Sequence, residues 1–295
     1  MNINKKFLKE MGACNDGMRW FLKNFEGDAE LKDVVKLLLR DGRDSDVSWL
    51  NRHLLMRDDI DIKALTEANV GAVIGNSIIA DAQISNSENY ARISSRGYST
   101  KIASSDDHAQ IASGGDYTQI SCSGNHTRIA SGDNYNQIYS GGNYNQIYSG
   151  GEHTQIYSSG YGTKISDSGN HAQIASSGDY NQICNSGEDT QIYSSGYGTK
   201  ISDSGYSSQI YSSGNYVKIT SSGDYNQIQA QGVNAVIAIT GSGMAKAGDG
   251  GVIAIRWHDE QSARSRIAVG YVGEDLKADT WYKVDNKGRF VEVTR

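Results

Sequence analysis

The chain has 295 residues, with 34 glycines, no proline, and a formal charge of −6 at neutral pH. No apolar run approaches the length of a membrane span. The charge is not basic enough for a dedicated nucleic-acid binder and not acidic enough for a nucleic-acid mimic. The first residues carry no apolar stretch of signal-peptide length, and Cys14, Cys122 and Cys184 sit in unrelated contexts. Both features point to free thiols in a reducing cytoplasm.

Residues 1–70 predict a helical domain. Phe7 and Met11, then Met18, Phe21, Leu22 and Phe25, suggest two short helices. Leu31, Val34, Val35, Leu37, Leu38 and Leu39 make a third, closing near Gly42. Asp44-Ser-Asp46 reads as the cap of a fourth that runs through Leu55, and 61–68 as a fifth. The expected task of this domain is to cover one end of the structure that follows, because the end of a strand stack exposes unpaired edges. Binding a partner is the second reading.

From Ile84 to Ile237 an isoleucine stands every nine residues without a break in phase. Strict self-similarity at a short period marks a solenoid, and residues 71–240 are assigned to it. Most units read I-x-S-S-G-[DN]-Y-[NT]-Q, as in 174–182. The residues around each isoleucine alternate, as a strand with one face in and one face out requires. Ser-Gly-Asp and Gly-Gly-Asn supply turns, with glycine expected to take positive φ and Asn or Asp to bond its own backbone. Nine residues cannot close around an isoleucine, whereas two units can. The fold class is therefore mainly β: a two-sheet β-solenoid of 18 residues per coil, with coils stacked at about 4.8 Å. An N-terminal α-helical cap and a small C-terminal all-β domain complete it. Inner files including Asn136, Asn145, Asn181 and Asn226 are expected to add side-chain ladders to the thin isoleucine core.

An 18-residue coil sorts alternate units onto opposite sheets. One sheet carries a glutamine file before its isoleucines (Gln119, Gln137, Gln155, Gln173) and, after them, Tyr139, Tyr157, Tyr193 and Tyr211. This Tyr/Gln face is a candidate homodimer seam, since stacked tyrosines give rigid, half-polar contact area. The other sheet carries Arg92, Arg128, Lys164, Lys200 and Lys218 among glutamines, with mostly small residues after the isoleucines. That basic stripe is the candidate binding site, for a polyanion or an acidic protein groove. His108 with His126, and His153 with His171, lie one coil apart in the turns. Tyrosine fills the same slot elsewhere, so the slot selects a flat ring and no metal site is assigned. The full G-G-x-G-x-D loop of calcium-binding nonapeptide rolls is missing.

Residues 241–295 predict the C-terminal β domain, with strands near 252–255, 266–272, 280–284 and 289–293. The repeats together with Asn234-Ala-Val-Ile-Ala238, Gly248-Asp-Gly-Gly-Val252, Arg266-Ile-Ala-Val-Gly270 and Asp279-Thr-Trp-Tyr282 resemble a group of bacteriophage and prophage proteins. These carry tandem S-G-D-x-x-x-I-A units and a C-terminal D-T-W-Y segment. Ala13-Cys-Asn-Asp-Gly17 resembles the start of such proteins. The resemblance implies a phage or bacterial origin and brings no activity, cofactor or catalytic residue.

No short-range Ser/His/Asp, Cys/His or paired-carboxylate arrangement is present, so the expectation is a non-enzymatic protein without a cofactor. The main reading is a binding protein that presents a solenoid face to a bacterial host protein in the cytoplasm, as a host-modulating or anti-defence factor. Nucleic acid is a less favoured partner and a membrane is not one. The alternatives are an ice-binding protein and a structural component of a virion or cell surface.

Overall fold

In a computed structural model, which describes residues 2–55, 83–86 and 89–294, the nonapeptide units form a two-sheet parallel β-solenoid. After the short antiparallel pair β1 (Asn2–Ile3) and β2 (Ala29–Glu30), each unit gives one strand, from β3 (Gln83–Asn86) and β4 (Arg92–Ser95) to β20 (Val236–Ile239). Every strand pairs in parallel with the strand 18 residues away, so Ile147 lies beside Ile129 and Ile165, and Ile156 beside Ile138 and Ile174. The isoleucines meet between the sheets and form one continuous core.

Three devices hold the coils together. Backbone ladders join the strands. Inward asparagines span adjacent coils: Asn136 Oδ1 accepts from the Thr118 N–H at 2.6 Å while its Nδ2 donates to Ser131 Oγ at 2.6 Å. At the turns, Asp and Asn carboxyl or amide oxygens accept the backbone N–H of the next coil, as Asp107 does from Asn125 (2.7 Å) and Asn125 from Asn143 (2.8 Å). The sequence reading gave these oxygens to their own backbone. The stacked coil instead offers an aligned N–H one layer away, and that bond satisfies a donor the turn leaves open.

The role of glycine also differs from expectation. The left-handed residue in most turns is the aromatic one, as at Tyr117 and Tyr135, both at φ 58. The preceding glycines are needed for close approach instead. A Cβ on Gly142 would stand 1.9 Å from the carbonyl oxygen of Gly124, and one on Gly160 equally near that of Gly142.

The N-terminal helices are α1 (Lys5–Glu10), α2 (Asn15–Asn24), α3 (Leu31–Arg40) and α4 (Asp44–Leu55). Asn4 caps α1 through its side-chain oxygen (2.9 Å to the Phe7 N–H), and Cys14 Sγ caps α2. Helix α3 buries Leu31, Val34, Val35, Leu38 and Leu39, a stripe at helical spacing. The fifth helix expected at 61–68 lies outside the described residues. The helical core is continuous with Tyr139, Tyr157, Ala175 and Tyr193. The described helices, within residues 5–55, therefore lie along the flank of the solenoid, over the tyrosine file, and not across its end. A flat row of stacked aromatic rings offers them far more apolar area than the rim of one coil.

At the other end, β21 (Gly243–Ala247) and β22 (Val252–Asp259) continue the two sheets in parallel. Strands β23 (Arg264–Tyr271), β24 (Tyr282–Val284) and β25 (Phe290–Glu292) then close them antiparallel. Val272, Leu276 and Tyr282 join the isoleucine core, so the strands after 240 share the interior of the repeats.

Candidate functional site

The two broad faces of the solenoid have different fates. On the Tyr/Gln sheet, Tyr139 and Tyr157 retain no exposed surface. Gln119, Gln137, Gln155 and Gln173 are buried, and Tyr211 is partly buried beside the helical core. The tyrosines stack at 5.1 Å (Tyr139 on Tyr157) and 5.2 Å (Tyr193 on Tyr211), with the Tyr139 hydroxyl donating to Gln137 Oε1 at 3.0 Å. Burial, and then the neighbouring Tyr211 ring, push the Tyr193 phenol above its ordinary range. The occupant of this face is the chain's own helical domain. A homodimer seam here would need that domain displaced.

The opposite sheet is open. Arg92, Arg128, Lys164, Lys200 and Lys218 are all exposed, and none makes an ion pair with a described residue. In-register stacking puts Arg128, Gln146, Lys164, Gln182, Lys200 and Lys218 in one straight file. Its cations recur about 9.6 Å apart until Lys200 and Lys218, which are direct neighbours about 4.8 Å apart. Beside the file run Ser94, Ala112, Ala130, Ser166, Cys184, Ser202 and Thr220, all exposed. Tyr148 stands up from this low row, half exposed, with its hydroxyl donating to Gln146 Oε1 at 3.2 Å. Across the repeat strands this face is thus flat and cationic, with Tyr148 as the ring that stands on it.

Beneath the cations two carboxyls face inward. Asp167 and Asp203 are each 2 % exposed. Burial raises the Asp167 carboxyl to about 7. Burial also raises Asp203, against the hydrogen bond from Asn185 Nδ2 at 2.6 Å; Asn226 Nδ2 donates to its other oxygen at 2.7 Å. Neither carboxyl is accessible to a partner of the cationic file.

The turns build two further features that residue spacing did not reveal. On one edge Tyr90, His108, His126 and Tyr144 stack with centroids 4.9–5.2 Å apart. At Gly162 and Gly198 the ring is missing from the slot, and Tyr161 and Tyr197, one residue upstream, take its place at 5.3–5.5 Å from their neighbours. On the other edge Tyr98 replaces Ser99 in the same way, followed by Tyr117, Tyr135, His153 and His171. The histidine pairs are members of these ladders. The sequence signal was the alternation of [DNE]-[YH] with Y-[GS] in the turns.

Among the described residues no helix is long and apolar enough to cross a membrane. No curated protein and no solved structure matches the chain. Residues 1–56, which hold the four helices that cover the tyrosine file, match the family model of the YdhT N-terminal domain.

Proposed function

We propose that the protein is a non-enzymatic binding protein that presents its open sheet to an acidic macromolecule of a bacterial cell. One observation supports this reading above the others: among the described residues, of two equally regular sheets, the helices cover the one with the tyrosine file and leave the one with the cationic file uncovered. Unpaired cations in a straight row on a chain of net charge −6 form a local field opposite in sign to the rest of the molecule. Such a row steers and orients an acidic partner, and each exposed contact adds modestly to affinity. A protein partner in the cytoplasm of a phage host fits the resemblance of the repeats and C-terminal segment to phage and prophage proteins. The partner would lie along the file, touching Arg128, Lys164 and Lys200 on successive alternate coils.

The test is affinity capture from a bacterial lysate with the full chain as bait, beside the variant R128E/K164E/K200E. A discrete partner retained at low salt, released as salt rises and lost with the variant, is the expected result. Equal capture by the variant removes the cationic file from the function.

A further inference from the structure

A recessed surface lies where the helical domain meets one turn edge. It is a groove of about 450 Å³, within the usual range for ligand sites. One wall is the ladder of Tyr98, Tyr117, Tyr135 and His153, and the other is Ser45 and Trp49 of α4. The floor is the stacked carboxamides of Gln119, Gln137 and Gln155. Wall and floor repeat once per coil, so the groove is a periodic surface with a step of about 4.8 Å.

We propose that this groove binds an extended, uncharged, β-linked oligosaccharide, one sugar ring to each coil. The inference is independent of the open sheet and its acidic partner. Lining chemistry selects the ligand class. Among the described residues that line the groove, Lys101 is the one charged side chain of aspartate, glutamate, lysine or arginine type. A nucleic-acid strand needs several cations along its phosphates and ring faces on which its bases stack. Here the faces of Tyr117, Tyr135 and His153 meet one another at 4.8–5.0 Å, leaving mainly edges and hydroxyls to the groove. An extended peptide repeats its side-chain pattern every ~6.8 Å, which falls about 6 Å out of step over three coils. A pyranose unit in an extended β-linked chain is close to one coil in length. Its hydroxyls both donate and accept, as do the carboxamides and phenols that line the groove. Trp49 supplies the apolar surface against which the C–H face of a sugar packs.

The test uses the full chain and isothermal titration with two defined series, cello-oligosaccharides and chito-oligosaccharides of one to six units. Affinity is expected to rise through three or four units and then level off, because the wall is four rings long. Tyr117→Ser and Tyr135→Ser are expected to lower affinity about tenfold each. Serine already occupies this left-handed turn slot at Ser99 and Ser207, so both variants keep a fold the chain tolerates. Ser45→Trp, which fills the groove from its exposed helical wall, is expected to abolish binding. Tyr216→Ser, on the opposite edge, is expected to leave it unchanged. Absence of binding by both series at millimolar concentration overturns the proposal. So does affinity independent of chain length, or affinity unchanged in both Tyr135→Ser and Ser45→Trp.

Discussion

Asn145 Oδ1 accepts the backbone N–H of Thr127, one coil away, at 2.7 Å, and its Nδ2 donates to the Gly124 carbonyl (3.0 Å) and to Ser140 Oγ (2.8 Å). One fully buried amide thus joins strand, turn and neighbouring coil. Asn145→Ala leaves the buried Thr127 N–H without its partner, at about 1–3 kcal/mol, and the Gly124 carbonyl with only the long contacts from Thr127 Oγ1 (3.4 Å) and Cys122 Sγ (3.8 Å). The expected outcome is a lowered midpoint in urea, followed by circular dichroism, with hydrogen exchange fastest at 124–127.

The aromatic ladders predict which turn changes are tolerated. His153 is left-handed (φ 56) and stacks between Tyr135 (4.8 Å) and His171 (4.9 Å). His153→Gly relieves the backbone and opens the stack. Adding Glu152→Tyr recreates the Tyr161–Gly162 arrangement and restores a ring. The double variant is expected to exceed His153→Gly in stability by about 1 kcal/mol, the worth of an aromatic contact, as read from thermal melts.

Asp167 gives the stability a pH dependence of known sign. Its folded carboxyl titrates at about 7, raised from 3.8 by burial. Between those values the folded chain keeps a proton that the unfolded chain releases, so stability falls as pH rises through this window and is flat above it. The full effect is of the order of 4 kcal/mol. Asparagine fits the row, since Asn185 holds the equivalent position one coil on and is 4 % exposed. Asp167→Asn is expected to raise the melting temperature at pH 8 and to change it little at pH 4.

Docking of the helical domain rests on the tyrosine file. Tyr157→Lys places an ammonium where the ring is now fully buried against the helices, and an unpaired buried charge is avoided by separation. Hydrogen exchange is expected to lose protection across 31–55 while the strands on the open sheet keep theirs. Retained protection at 31–55 would show that the tyrosines do not hold the domain.

The sequence by itself determined the repeat, the coil length and the pairing of residues 18 apart. A nine-residue isoleucine period admits no other closure around a core, and period-two alternation fixes which side chains look out. It also marked four of the helices, because the apolar spacing of segments such as Leu31–Leu39 is local. Only the tertiary structure decided which face is available. Nothing in the spacing of Tyr139 and Tyr157 says that the chain's own helices cover them, since that contact joins segments about a hundred residues apart. The same holds for the turn bonds from Asp107 to Asn125 and for the ring that moves from slot 162 to Tyr161. Each depends on what the adjacent coil presents, and that neighbour exists only once the coils are stacked.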